Sequence, residues 1–146
     1  FLAAANVGLA DAQYAVSQFL ANGTGGVPYD EAAARVWLEK AARQNYDTAM
    51  LDYASWLIDG IGGKKDYAAG FAWMKRAAES GNVAAQRQLA RLYENGIGTK
   101  GDTVTAAAWY IIAKRAKLHD PKLDDLLDGL TDEEMKNAIE LANRLK

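Results

Sequence analysis

Six residues, Gly96-Ile97-Gly98-Thr99-Lys100-Gly101, spell the Gly-x-Gly-x-x-Gly pattern that can cradle a dinucleotide pyrophosphate. That chemistry needs the glycines at a strand-to-helix turn, where bare backbone and a helix N-terminus meet the phosphates. Gly60-Ile61-Gly62-Gly63-Lys64-Lys65 has the glycines and lysines of a phosphate loop but lacks its Gly-Lys-(Ser/Thr) ending. Both stretches lie between helical patterns, and their first two glycines recur along the chain, so turn geometry accounts for them. Acid–base chemistry would rest on His119, the sole histidine, or on carboxylates. His119 is expected to end a helix, where a cationic ring suits the dipole. Ser17, Ser55 and Ser80 are the only serines. Ser17 falls on a small packing position and Ser80 at a helix end, so no nucleophile–base arrangement emerges. The absence of cysteine excludes disulfides, thiolate metal sites and cysteine nucleophiles. Asp120, Asp124, Asp125 and Asp128 form the densest carboxylate group, but not at calcium-loop spacing. They read as a solvated acidic face with Asp120 near a helix start. Arg87 and Arg91, one helical turn apart, could grip a carboxylate bidentately or form ion pairs within the fold. No catalytic residue, cofactor or metal site is expected.

The elements that carry these residues follow from composition and repetition. The chain has 146 residues, 50% of them hydrophobic and 25% charged, which is the composition of one globular domain. Its net charge of −2 supplies no bulk attraction to nucleic acid or an anionic membrane. No apolar run approaches the roughly 18 residues of a membrane span. Trp37, Trp73 and Trp109 lie 36 residues apart, as do Asp30, Asp66 and Asp102. Gly23, Gly60 and Gly96 follow at spacings of 37 and 36, with Gly25, Gly62 and Gly98 in step. Ala41-Ala42 recurs as Ala77-Ala78, and its first alanine again as Ala113.

Each repeat reads as two helices. The first member is predicted over 7–22, 46–59 and 82–95, ending in a glycine that can take a left-handed cap. A Gly-x-Gly turn then leads to an aspartate placed to N-cap the second helix. From that aspartate, a small residue at i+4 and a tryptophan at i+7 share one stripe, which predicts all three tryptophans as core. Pro121 opens an acidic segment, and Thr131-Asp132-Glu133-Glu134 is a capping box starting a last helix with Met135, Ala138, Ile139, Ala142 and Leu145 on its apolar face. Phe1 stands where a methionine would open a full chain, and Ala4-Ala5 precedes Ala41-Ala42 by 37 residues. Residues 1–6 are therefore expected to end a repeat that starts upstream.

The pattern Ala85, Leu89, Ala90, Tyr93, Gly96, Gly98, Asp102, Ala106, Trp109, Tyr110, Ala113 resembles a Sel1-like repeat. The second copy departs at Tyr53, Leu57 and Gly70, and the first at Val16, Ser17 and Leu20. Tetratricopeptide repeats are the near alternative, but their 34-residue period and shorter turn fit less well. The resemblance implies an all-α, right-handed α-solenoid of paired antiparallel helices. Three repeats would occupy about 7–44, 45–80 and 81–117, followed by capping helices over 118–146. It further implies a protein–protein interaction scaffold rather than an enzyme, in a bacterial signalling or envelope-associated complex, with a periplasmic or secreted location. A structural segment of a larger protein, and a hydrolase, are the alternatives. If the first helix of each pair lines a concave side, Asp11, Tyr14, Gln18, Thr48, Leu51, Ser55, Arg87, Arg91 and Glu94 face the groove. The expected guest is a protein or peptide segment bearing carboxylates, with neither nucleic acid nor membrane insertion.

Overall fold

The computed structural model describes residues 8–23 and 29–145, which contain eight α-helices and no β-strand. In chain order they are α1 (Ala10–Asn22), α2 (Glu31–Ala42), α3 (Asp47–Asp59), α4 (Tyr67–Glu79), α5 (Val83–Asn95), α6 (Thr103–Arg115), α7 (Pro121–Asp128) and α8 (Asp132–Leu145). The expectations for residues 1–7 lie outside the described residues, as does that for Gly25. Packing divides the chain into two compact units, residues 1–73 and 74–146.

The turn aspartates work in two directions. Asp30, Asp66 and Asp102 each accept from a first-turn amide of the helix that follows, that of Ala33, Ala69 and Thr105, at 3.0 Å. Their own amides donate to carbonyls of the preceding helix, to Leu20 and Leu57 at 2.8 Å and to Tyr93 at 3.0 Å. One residue therefore starts the second helix and ties it to the first. Ahead of it, Gly23, Gly60 and Gly96 take φ of 65°, 74° and 66° and donate to the carbonyls of Phe19, Trp56 and Leu92. A Cβ would be strained in that left-handed cap. The first helices of the second and third pairs start at Asp47 and Val83, one residue later than predicted. Tyr46 and Asn82 stay extended as N-caps, and Asn82 accepts from the Ala85 amide at 2.8 Å.

In the first unit α1 packs on α2 and α2 on α3. Ser17 is fully buried and donates its hydroxyl to the Ala34 carbonyl at 2.7 Å, so the small position also carries a cross-helix bond. Gly70 stands where the other repeats have Ala34 and Ala106. A Cβ there would lie 2.6 Å from Ile58 Cγ1, closer than real side chains approach, and a tight 3.0 Å from the Ala54 carbonyl. In the second unit α6 is covered by α5, α7 and α8, and five consecutive residues from Ala106 to Tyr110 are buried.

That difference in cover corrects the expectation for the tryptophans. Trp109 is 2% exposed, whereas Trp37 and Trp73 are half-buried. Trp37 packs with Leu20 against Ala12 and Val16 and carries the Lys40 ammonium 4.1 Å over its ring. Trp73 meets Tyr53 edge to face, with ring centroids 5.6 Å apart. His119 does not end α6, which stops at Arg115. Lys117 turns the chain at φ 73°, leaving His119 exposed in the connection to α7. The capping box is present, with Thr131 and Glu134 exchanging bonds of 2.9 and 3.1 Å. Ile139 is 41% exposed, because α8 seats itself through Ala138 and Ala142 instead. Trp109→Ala should destabilise the protein by about 3–5 kcal/mol through the cavity it leaves, whereas Trp37→Ala should cost about 1–2 kcal/mol. Urea unfolding followed by circular dichroism measures both without relying on the indoles.

Candidate functional site

Six of the nine predicted groove residues lie in the first unit, on α1 and α3. Asp11 is exposed and its side chain accepts from the adjacent Ala12 amide at 2.9 Å. Tyr14 is half-buried, stacks at a tilt on Tyr46 with centroids 5.4 Å apart, and donates its hydroxyl to Asp52 Oδ2 at 2.7 Å. Burial, then the bond to Asp52, holds the Tyr14 hydroxyl well above the ordinary tyrosine range. Burial likewise raises the Asp52 carboxyl, against the opposing effect of the Tyr14 bond. Gln18, Thr48 and Leu51 are half-buried, and the Ser55 hydroxyl donates to the Leu51 carbonyl of its own helix at 3.1 Å. The structure thus brings Tyr14 against the helix that carries Leu51 through a residue, Asp52, that no repeated spacing in the sequence marks.

Arg87, Arg91 and Glu94 lie on α5 in the second unit, and here the geometry is more decisive. Asp120 is 3% exposed, not part of a solvated acidic face. It N-caps α7, where Pro121 loses nothing by lacking an amide hydrogen, and its Oδ1 accepts from the amides of Lys122 and Leu123 at 3.0 and 3.4 Å. Its Oδ2 accepts from Arg91 Nε at 3.1 Å and Nη2 at 2.5 Å. Arg87 Nε stands 4.0 Å from the same oxygen, beyond hydrogen-bond reach. Burial alone would raise the Asp120 carboxyl, but the Arg91 bonds and charge, with the two backbone amides, hold it below the ordinary aspartate range. Glu94 is exposed and enters no ion pair among the described residues.

The rest of the acidic segment is also engaged. The fully buried Tyr110 accepts from the Asp120 amide at 2.9 Å and donates to Asp124 Oδ1 at 2.6 Å. Lys114 reaches that same oxygen at 3.1 Å. The Tyr110 bond and then the Lys114 bond lower the Asp124 carboxyl. The cap motif itself is an echo of the repeat: Asn82 capping at Ala85 becomes Asp120 capping at Leu123, 38 residues on. Among the described residues no group of three histidine, aspartate or glutamate side chains is placed to hold a metal ion. The glycine-rich stretches at Gly60 and Gly96 connect helix to helix, α3 to α4 and α5 to α6.

Residues 10–46, 48–82 and 83–117 match the Sel1 repeat family. The chain belongs to that family. A Sel1 repeat protein from Oxalobacter formigenes is similar in structure, with a TM-score of 0.80 at 28% identity over 99% of this chain and 60% of that one. The c5321 protein, a protective antigen present in uropathogenic Escherichia coli strains and displaying an SLR fold, gives a TM-score of 0.54 at 24% identity over 97% of this chain and 38% of that one. No curated protein matches the chain. The Sel1 chain thus spans less than two thirds of either solved relative and shares their all-α helical-repeat fold. Sel1 repeats generally act as protein–protein interaction scaffolds and are typically non-enzymatic. No described helix is long and apolar enough to cross a membrane.

The Arg91–Asp120 pair contributes a measurable part of the stability. Asp120→Asn should cost about 1.5–3 kcal/mol at pH 7, less than a fully enclosed pair because Arg91 is one-third exposed. The folded-state carboxyl is depressed, so its contribution is complete above the unfolded aspartate value of about 3.9 and is lost as pH falls through the folded value. The stability gap between parent and variant should therefore narrow from pH 7 to pH 3, as read from urea midpoints across that range.

Proposed function

We propose that this chain is a partner-binding module whose first helices, α1 and α3 in the first unit and α5 in the second, each offer a non-packing face to a segment of another protein. One observation carries the reading. Repeat-equivalent packing positions stay small and buried, as in Ala12, Ala49 and Ala85 and in Ser17, Ala54 and Ala90. The positions between them change character from repeat to repeat while remaining half-exposed: Tyr14, Leu51 and Arg87, then Gln18, Ser55 and Arg91. A constant scaffold carrying varied side chains on the non-packing face of each first helix is what a recognition surface requires. The family's general role as an interaction scaffold supports the same reading. We place the module in a bacterial signalling or envelope-associated complex, periplasmic or secreted. The family resemblance and the bacterial source of the Oxalobacter relative support that setting.

The second reading, a structural segment whose activity lies elsewhere in a longer protein, is favoured by the 60% span of the Oxalobacter chain. Photo-crosslinking separates the two. A benzophenone amino acid placed at Gln18 or Leu51 in the intact protein should capture a partner, while the same group at Val36, 52% exposed on α2, should not. Capture from Val36 alone, or crosslinks confined to the protein's own chain, would favour the structural reading.

A further inference from the structure

Two guanidinium groups on α5 face one carboxylate, and the carboxylate is full. Asp120 offers two oxygens with about four lone-pair sites. Arg91 fills one oxygen with two N–H groups, and the amides of Lys122 and Leu123 fill the other. Arg87 is left over. Its Nε is a buried donor without an acceptor, and the guanidinium makes no hydrogen bond among the described residues. The two guanidinium groups thus face one carboxylate with an unmet donor and an excess of one positive charge. About a third of the Arg87 side chain is exposed, so an outside group can reach its terminal nitrogens.

We infer that Arg87 is the ligand-binding member of the pair and takes a single carboxylate from an acidic segment of a partner protein, while Arg91 is a structural clamp on Asp120. This rests on the reading of the α5 face as a partner-binding surface. The planar guanidinium fork matches a carboxylate or a phosphate in geometry. Charge selects between them. The excess near Arg87 is one unit, and Glu94, exposed on the same helix one turn beyond Arg91, opposes a dianion more than a monoanion. The conspicuous arginine pair of the sequence thus divides into one residue for the fold and one for the guest.

The test uses the full chain, its Arg87→Gln and Arg91→Gln variants, and a decapeptide of alternating glutamate and serine. Controls carry glutamine for glutamate, or phosphoserine for serine with glutamine for glutamate. Nuclear magnetic resonance follows the arginine Nε–H signals and the α5 backbone amides during titration. The glutamate peptide should move the Arg87 Nε–H signal, and Arg87→Gln should weaken binding about tenfold with an unchanged melting temperature. Arg91→Gln should lower the melting temperature and keep the affinity within about twofold, measured where the variant remains folded. Affinity unaffected by Arg87→Gln, equal losses from both variants, or tighter binding of the phosphoserine peptide would each overturn the assignment. If those results appear while crosslinks from Gln18 or Leu51 still capture a partner, the partner-binding module stands and the role of Arg87 alone falls.

Discussion

At the turn inside each helix pair, one aspartate is bonded to both helices. Its side chain accepts from the first turn of the second helix, and its amide donates to the last turns of the first. The free amides at a helix start and the free carbonyls at a helix end need partners, and this residue supplies one to each. The left-handed glycine that precedes it reverses the chain within a few residues. With the turn fixed, the two helices cross at a distance only small residues tolerate, which is why Ser17, Ala54 and Ala90 are fully buried. Ser17 uses its hydroxyl for a bond to the facing helix, and Gly70 extends the logic to a contact where even alanine would clash. The side chains left off the packing stripe then fall on a common face of each first helix.

The C-terminal part of the second unit reuses this grammar with a charge in place of an amide. Where Asn82 caps α5, Asp120 caps α7, and it does so while buried. A buried carboxylate without partners would be strongly destabilising, so it must draw hydrogen bonds and a countercharge from its surroundings. Two backbone amides and Arg91 meet that need. The requirement is local, yet it decides which residues on α5 remain available for anything else. Arg91 is held to the fold by two hydrogen bonds, whereas Arg87, one turn earlier, makes only a 4.0 Å ion pair with the same oxygen.

Much of this architecture is legible in the chain itself. The period is a recurrence of residue types, and the glycine caps, the aspartate N-caps and the capping box at Thr131 and Glu134 involve partners within about four residues, so spacing alone encodes them. The two groups that matter most for the site are not of that kind. Tyr14 and Asp52 are 38 residues apart, and Arg91 and Asp120 are 29 apart. An acidic run reads as solvated unless the helix that covers it is known, and Asp120 is buried because its neighbours cover it. Likewise the tryptophan at i+7 of every repeat is equivalent in sequence, but Trp109, on a helix packed by three others, is buried while Trp37 and Trp73 are half-buried.

The helix pairs, their turns and the family are written in the order of the residues, because they rest on bonds between near neighbours and on a repeated pattern of small and large residues. Tertiary structure alone decided which charged and aromatic side chains are spent on the fold. That depends on the desolvation each one meets when separate helices close over it, and no spacing along the chain records it.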